Sequence, residues 1–539
     1  MINEKTNNYD YIIVGGGSAG CVLANRLSSI SSSNVLLIEA GKKNHFLSRI
    51  PISFGLFIDK PSVNWCYRSE PEENTNFREI PVPRGKILGG SSTINGMVYV
   101  RGQKLDFDTW AQMGNLGWSF DDILPIYKKM ENFKGKKSRF RGENGLLNIN
   151  EVKDKNPLYE AIFSAGEVCG LSKNSDYNSE DQEGLSLSQT TIDNGKRVSS
   201  EFAYLRPIHQ RKNLKIKTES LVTRLLFKGK KCIGVEVKNK NKIDKYFVKK
   251  ELVLSAGSIN TPQILELSGI GQRAIIERHS INLIHELNGV GENLRDHITP
   301  RLFFKIKKQN ITFNDRAKGL GLFKQFLSYF FNRSGFFSLP SAPIIGFHKT
   351  RSELSTPDIQ LHFVPYRIIF KNGKRILSKD PGITCAINQN RPESKGSVHI
   401  SSNNPLVPPK IKFNFLSSKI DIQALIAGIK KIRELMLSKP MKEFCGEEIQ
   451  PGLKIKSDED LLNYIKDKAE TAYHPVGTCK MGNDNYSVVD NKLKVHGIKN
   501  LRIADASIMP TLISGNTNAV CMMIGEKCSE LILINNKNK

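Results

Sequence analysis

The sequence predicts an α/β fold, α+β over the whole chain, built on a Rossmann-like βαβ unit that begins near residue 10. Three observations carry that expectation. Tyr11 to Val14 is a short apolar run suited to a buried parallel strand, and Gly15, Gly17 and Gly20 form a G-x-G-x-x-G turn directly after it. A second apolar run, Val35 to Ile38, ends in the acid Glu39. The first glycine permits a tight turn and the second lets backbone amides approach a pyrophosphate. The third lets the helix pack on the strand, with its positive end toward the phosphates. Glu39 is placed to accept hydrogen bonds from a ribose 2′-hydroxyl, which favours an adenosine ribose without a 2′-phosphate. A lone glycine-rich turn is weak evidence. The strand before it, the helix after it and the acid about 20 residues on favour a dinucleotide site over a plain βαβ turn.

Length and composition bound the remainder. A chain of 539 residues is too long for one small core, so two domains or one large domain with insertions are expected. The 79 Lys and Arg outnumber the 53 Asp and Glu, for a formal charge of +26. The cations are spread along the chain with no nucleic-acid-binding motif, which argues against a nucleic-acid partner. An acidic protein or an anionic membrane surface stays open, as does a plain compositional bias toward Lys, Asn and Ile. Nine cysteines (21, 66, 169, 232, 385, 445, 479, 521 and 528) include no C-x-x-C pair, so neither a metal site nor a disulfide framework is expected. A reducing, cytoplasmic setting fits best. No charged-then-apolar leader precedes the first strand and no run of 18 apolar residues occurs, so neither a secretory signal nor a membrane span is expected.

After the first unit, residues 42 to 83 lack periodicity and are punctuated by Pro51, Pro61, Pro71, Pro81 and Pro83, which reads as a long excursion or lid. A second donor-rich loop follows, with Gly89, Gly90, Ser91, Ser92, Thr93 and Asn95 inside the run Arg84 to Gly102. Leu221 to Phe227, Ile233 to Val237 and Leu252 to Leu254 suit a meander within 214 to 254 that returns to the parallel sheet. Phe323 to Phe337 holds six Phe and one Tyr, compatible with buried packing, an active-site rim or a membrane-facing segment. Ile422, Leu425, Ile426, Ile429, Ile432, Leu435 and Met436 fall at helical spacing, so 420 to 437 is an amphipathic helix that covers a sheet.

The two glycine-rich loops together resemble the glucose-methanol-choline (GMC) family of flavin oxidoreductases. The resemblance continues through Ala256 to Gly271, Gly289 to His297, His474 to Gly482, Arg502 to Pro510 and Ser514 to Asn518, in the family's order, and is sparse at 140 to 190 and 300 to 380. It implies a discontinuous FAD-binding domain of residues 1–155, 195–300 and 465–539. A substrate-binding domain of 156–194 and 301–464 would be inserted into it, built on an antiparallel sheet covered by helices.

The implied reaction is FAD-dependent oxidation of the CH–OH group of an alcohol, which needs a general base and a donor to the alkoxide. The resemblance places His474 as the base and Asn516 as the donor. The cofactor contacts it implies begin with Gly15, Gly17, Ser18, Ala19 and Gly20, then Glu39 and Ala40, then Gly90, Ser91, Asn95, Gly96, Met97 and Val98. They continue with Val222 and Ala256 and end with Asp505, Ala506, Asn516, Thr517 and Asn518. Some members attach FAD through a histidine where Ile94 stands here, so noncovalent FAD is expected. The helix after Asn518 would bring its positive end to the flavin.

Choline-acting relatives carry a glutamate shortly before a Gly-Phe pair, and Ser341-Ala-Pro-Ile-Ile-Gly-Phe347 has no acid. An uncharged primary alcohol is therefore expected, with Ala342, Pro343, Ile344 and Ile345 as an apolar wall, while Phe347 or Phe363 would offer an aromatic face able to attract a cation. A hydroxynitrile lyase, a fatty acid photodecarboxylase and a choline dehydrogenase are the alternatives. His474 argues against the decarboxylase, which replaces that histidine. The electron acceptor, whether oxygen, a quinone or an electron-transfer protein, is left open, as is peripheral contact with the inner face of a membrane.

Overall fold

The computed structural model describes residues 7–371 and 374–537, and two large sheets organise them. The first has seven strands. Its parallel part runs in the order Leu214–Lys217, Val35–Ile38, Asn8–Val14, the end of Lys242–Leu254, and Leu501–Ile503. The inner strands are covered on both faces, which is why Val35–Ile38 reads as an unbroken and fully buried VLLI. The 13-residue strand Lys242–Leu254 serves two sets of neighbours. Its first part pairs antiparallel with Lys231–Asn239, which pairs in turn with Leu221–Lys228. The expected meander is thus three strands from 221 to 254. Leu214–Lys217 stands apart from it, as the edge of the parallel sheet.

The helix Ser18–Leu27 leaves the first strand and packs along Asn518–Lys537 so closely that a Cβ on Gly525 would lie 2.8 Å from the carbonyl of Ala19. Arg26 Nε and Nη2 donate to the two carboxylate oxygens of Glu526 at 2.9 and 2.8 Å, closing this pair at the far end. Both helices, together with Gly257–Leu267, start at the C-terminal edge of the parallel strands, where ligands bind in open α/β sheets.

The second sheet has six strands, all antiparallel: Cys445–Gln450, Arg301–Ile306, Gly382–Gln389, Ile359–Val364, Ile344–His348 and Gly184–Leu187. The helix Lys419–Leu437 lies on it with Leu425, Ile429 and Ile432 buried, as the periodicity predicts. Gly428 permits the approach, because a Cβ there would meet Ile387 at 2.6 Å. Each sheet has its own apolar core.

The aromatic segment departs from a packed core. Gly319–Asn332 is a helix in which only Tyr329 is buried, while Leu320, Phe323, Phe326, Phe330 and Phe331 are exposed. Among the described residues no helix is long and apolar enough to cross a membrane, and no cluster of His, Cys, Asp or Glu has the arrangement of a metal site.

Candidate active site

A cavity of about 1070 Å³ runs from the C-terminal edge of the parallel sheet to one face of the six-stranded sheet. That exceeds the roughly 300–1,000 Å³ of ordinary small-molecule pockets and leaves room for a dinucleotide beside a substrate.

At the parallel-sheet end the lining is mostly main chain. Gly15, Gly17, Ser18 and Ala19 border the cavity, and no side chain caps the first turn of Ser18–Leu27, so its amides face inward. The Ser18 hydroxyl donates to Asn518 Oδ1 at 2.8 Å, which sets the N-termini of two helices side by side and adds their positive ends. Gly20 does not line the cavity. A Cβ there would sit 1.9 Å from the Gly15 carbonyl, so this glycine is required for helix packing rather than for cofactor contact. Gly90 brings the second loop against the first. Its φ is +54°, and a Cβ would lie 2.7 Å from the Cα of Gly17, while Gly89 N donates to Gly16 O at 2.7 Å.

The Glu39 carboxylate borders the cavity and accepts from Gly16 N at 2.9 Å and Gly41 N at 2.7 Å. Burial pushes its carboxyl up to about 7 despite those two donors. One acceptor position remains on each oxygen for a ribose. Ala40, Ser91, Gly96, Met97, Val98, Val222, Ala256, Ala506 and Thr517 also line the cavity. So does Asn95, whose Oδ1 accepts from Arg197 Nη1 at 2.7 Å. Asp505 lines it too, although its carboxylate is largely engaged by Gly257 N at 2.9 Å, the Thr261 hydroxyl at 2.6 Å and Ser507 N at 2.8 Å. Ile94 is buried among Phe57, Val63 and Ile87 and offers no nucleophile. The volume, the paired loops, the uncapped amides and the buried acid fit the FAD that the motifs imply.

At the other end a directional chain of hydrogen bonds fixes His474. The carbonyl of Asn390 lies 3.0 Å from His297 Nε2, so that nitrogen carries the proton. Burial lowers the His297 pKa to about 4, and the neutral ring presents an unprotonated Nδ1. His474 Nδ1 lies 3.0 Å from it and must donate. His474 is itself neutral, pushed well below its ordinary value of 6.5 by burial and then by His297, Arg84 and His362. Its Nε2 is therefore the unprotonated acceptor, and Asn516 Nδ2 donates to it at 3.1 Å. Asn516 Oδ1 accepts in turn from Gln360 Nε2 at 3.2 Å.

The backbone around His474 is held just as firmly. Tyr473 adopts φ +68°, a conformation that stores strain in a non-glycine residue. Tyr473 N donates to the Thr471 hydroxyl at 2.7 Å, and His474 N donates to Asp296 Oδ1 at 2.9 Å.

The walls at this end come from alternate residues of three strands. Arg301 and Phe303, His362 and Val364, and Thr384, Ala386 and Asn388 face the cavity, while Leu302, Phe304, Leu361, Phe363, Ile383, Cys385 and Ile387 face the core beneath the covering helix. This periodicity corrects the expected substrate wall. Phe363 points to the core, as does Ile344, which pairs with it across the ladder. Ile345 and Phe347 share the face of His362 but are covered by Val98, Val100 and Tyr177. Pro343 does not border the cavity either, so of that expected wall only Ala342 does. Phe313, Phe336, Phe337, Tyr366 and Ile376 supply the apolar surface instead.

The acid at this end is Glu470, which accepts from Arg301 Nη1 at 2.6 Å and Arg375 Nη2 at 3.1 Å. Burial raises its pKa, and the two arginines outweigh burial and bring it below the ordinary carboxylate range. The structure therefore brings His474, Asn516 and every expected cofactor residue except Gly20 to one cavity. Sequence reasoning missed His297, whose signal was its place at the end of the quoted run Gly289 to His297. It also missed Gln360, Arg301, Arg375 and Glu470, which carry no local motif.

Two family models described as GMC oxidoreductase match this chain, over residues 9–299 and 392–525. The chain is 41% identical over 533 residues to the alcohol dehydrogenase (acceptor) of Pseudomonas putida, which covers 97% of this chain and 96% of that one. It is 38% identical over 536 residues to the oxygen-dependent choline dehydrogenase of Photobacterium profundum, with coverage of 98% and 93%. A variant of Aspergillus oryzae formate oxidase solved to follow FAD modification superposes with a TM-score of 0.91 at 28% identity, over 99% of each chain.

Proposed function

This chain belongs to the GMC oxidoreductase family, and we propose that it oxidises an uncharged primary alcohol with His474 as general base. It is an FAD-dependent oxidoreductase acting on alcohols, and the apolar Ile94 beside the second glycine loop supports noncovalent attachment of the cofactor. The observation that carries the finer reading is the hydrogen-bond chain from Asn390 to Gln360, which leaves an unprotonated Nε2 on His474 at the cavity surface.

FAD, when bound, supplies the acceptor for the hydride that leaves the alcohol carbon. Loss of that hydride requires loss of the hydroxyl proton, and His474 Nε2 takes it. Asn516 Nδ2 donates to the developing alkoxide without competing for the proton, because an amide nitrogen has no acceptor position. His297 accepts from Nδ1 before and after transfer, so the imidazole keeps one orientation throughout.

The substrate reading rests on charge and surface. A quaternary ammonium at this end would meet Arg301 and Arg375 and find Glu470 already shared between them, with Asp59 a further partner of Arg375. A buried cation without a partner charge is strongly disfavoured. An aliphatic or aromatic tail against Phe313, Phe336 and Tyr366 gains about 25 cal/mol for each Å² removed from water.

The test is anaerobic mixing of the purified yellow protein with 1-octanol, benzyl alcohol or choline. The neutral alcohols should bleach the flavin, with kcat/KM about 100-fold above that for choline. A preference for choline would overturn the substrate assignment, and no bleaching by any alcohol would overturn the activity.

A further inference from the structure

The helix Gly319–Asn332 is amphipathic, yet it is turned outward. Leu320, Phe323, Leu327, Phe330 and Phe331 recur at spacings of three and four residues, which normally marks a buried stripe. Here those side chains are 80, 56, 36, 59 and 72% exposed. The polar side faces the protein instead. Gln325 Oε1 accepts from Phe336 N at 3.0 Å, and the Ser328 hydroxyl lies 2.8 Å from that of Ser334. A helix that shows its apolar stripe to water and its polar stripe to the fold is built for an apolar phase outside the protein.

Charge selects that phase. The sequence of this helix contains no acid, Lys324 stands within it, and Lys318 and Arg333 flank it on a chain of net charge +26. Basic residues beside an exposed aromatic stripe complement an anionic lipid surface.

The position also suits a cavity entrance. Tyr329 packs on Phe337 at 5.9 Å between ring centroids, and Phe337 lines the cavity. Leu56, Ile376 and Leu377 both line the cavity and stand partly in solvent, marking its mouth, and Lys318 Nζ donates to the carbonyl of Lys379, two residues beyond Leu377.

We infer that the outward face of Gly319–Asn332 docks on an anionic lipid bilayer, with the cavity mouth beside the acyl layer. Docking requires no turnover, so it is tested separately from the proposed reaction, by flotation of the holoenzyme with vesicles. Vesicles of phosphatidylcholine containing about 30% phosphatidylglycerol should carry the protein up, with roughly tenfold less bound to pure phosphatidylcholine or in about 0.5 M salt. The triple variant Phe323→Ser, Phe330→Ser, Phe331→Ser should lose at least about tenfold in bound fraction while keeping its flavin and its rate with a short soluble alcohol. Equal binding of that variant, equal binding to both vesicle types, or no binding by the unaltered protein would each overturn the proposal. So would a concentration-dependent dimer that the same substitutions dissociate while vesicle binding is absent, because the face would then belong to a second copy.

Discussion

At the glycine-rich end of the cavity the lining is main chain held by short local motifs, whereas at the His474 end it is side chains that distant strands turn to one face. Gly15, Gly17, Ser18 and Ala19 reach the cavity within five residues of chain, and the uncapped amides of the helix they open present the same donors whatever the neighbouring side chains are. Arg301, His362, Ala386 and Glu470 reach it from four separate segments, and each depends on register and pairing. One end is fixed by sterics, with no room for a Cβ at Gly15, Gly20 or Gly90. The other is fixed by hydrogen-bond direction and charge, which single substitutions change by graded amounts.

The largest effect that would sharpen this contrast is at Gly20. Its Cβ position clashes with the Gly15 carbonyl, so Gly20→Val should abolish holoprotein, read as loss of flavin absorbance in the purified chain. Full flavin occupancy in that variant would break the steric account of the first end. At the other end, His297→Ala removes the acceptor for His474 Nδ1 and leaves a buried donor unsatisfied, at a cost of about 1–3 kcal/mol. Flavin reduction should slow roughly 5- to 150-fold with FAD retained, and His297→Asn, which restores an acceptor, should recover part of the rate. An unchanged rate in the alanine variant would remove the relay.

Glu470→Ala should cost roughly 3 kcal/mol of stability, chiefly by removing the carboxylate that pairs with Arg301, because Arg375 keeps Asp59 and the Tyr473 hydroxyl; denaturant unfolding measures it. The smallest effect is one of pH. A base whose pKa is lowered stays unprotonated as pH falls, so kcat/KM should be flat down to 6.5, with its acid limb below that ordinary histidine value. A limb centred above 7 would show that His474 is not held neutral in the way described.

The same contrast explains what could be read from the sequence. The βαβ unit, the second glycine loop, the covering helix and His474 were legible, because each is written in consecutive residues or in a single period. The substrate wall was not. Ile344 and Phe363 look as suitable as Val364 in the sequence, and only the ladder that pairs Ile344 with Phe363 reveals that both face the core. His297 was visible as part of a motif, but its partner Asn390 lies 93 residues away, and nothing local reports that contact. The outward aromatic segment was one of three readings the sequence left open, for a related reason. Periodicity identifies an apolar stripe without saying what covers it.

The central claim is that His474 Nε2 removes the alcohol proton, and stopped-flow reduction of the holoenzyme without oxygen tests it most directly. His474→Ala should retain noncovalent FAD, released to the supernatant on acid precipitation, and should be reduced by 1-octanol roughly 10²- to 10⁴-fold more slowly than the unaltered protein. Reduction at an unchanged rate would contradict the account.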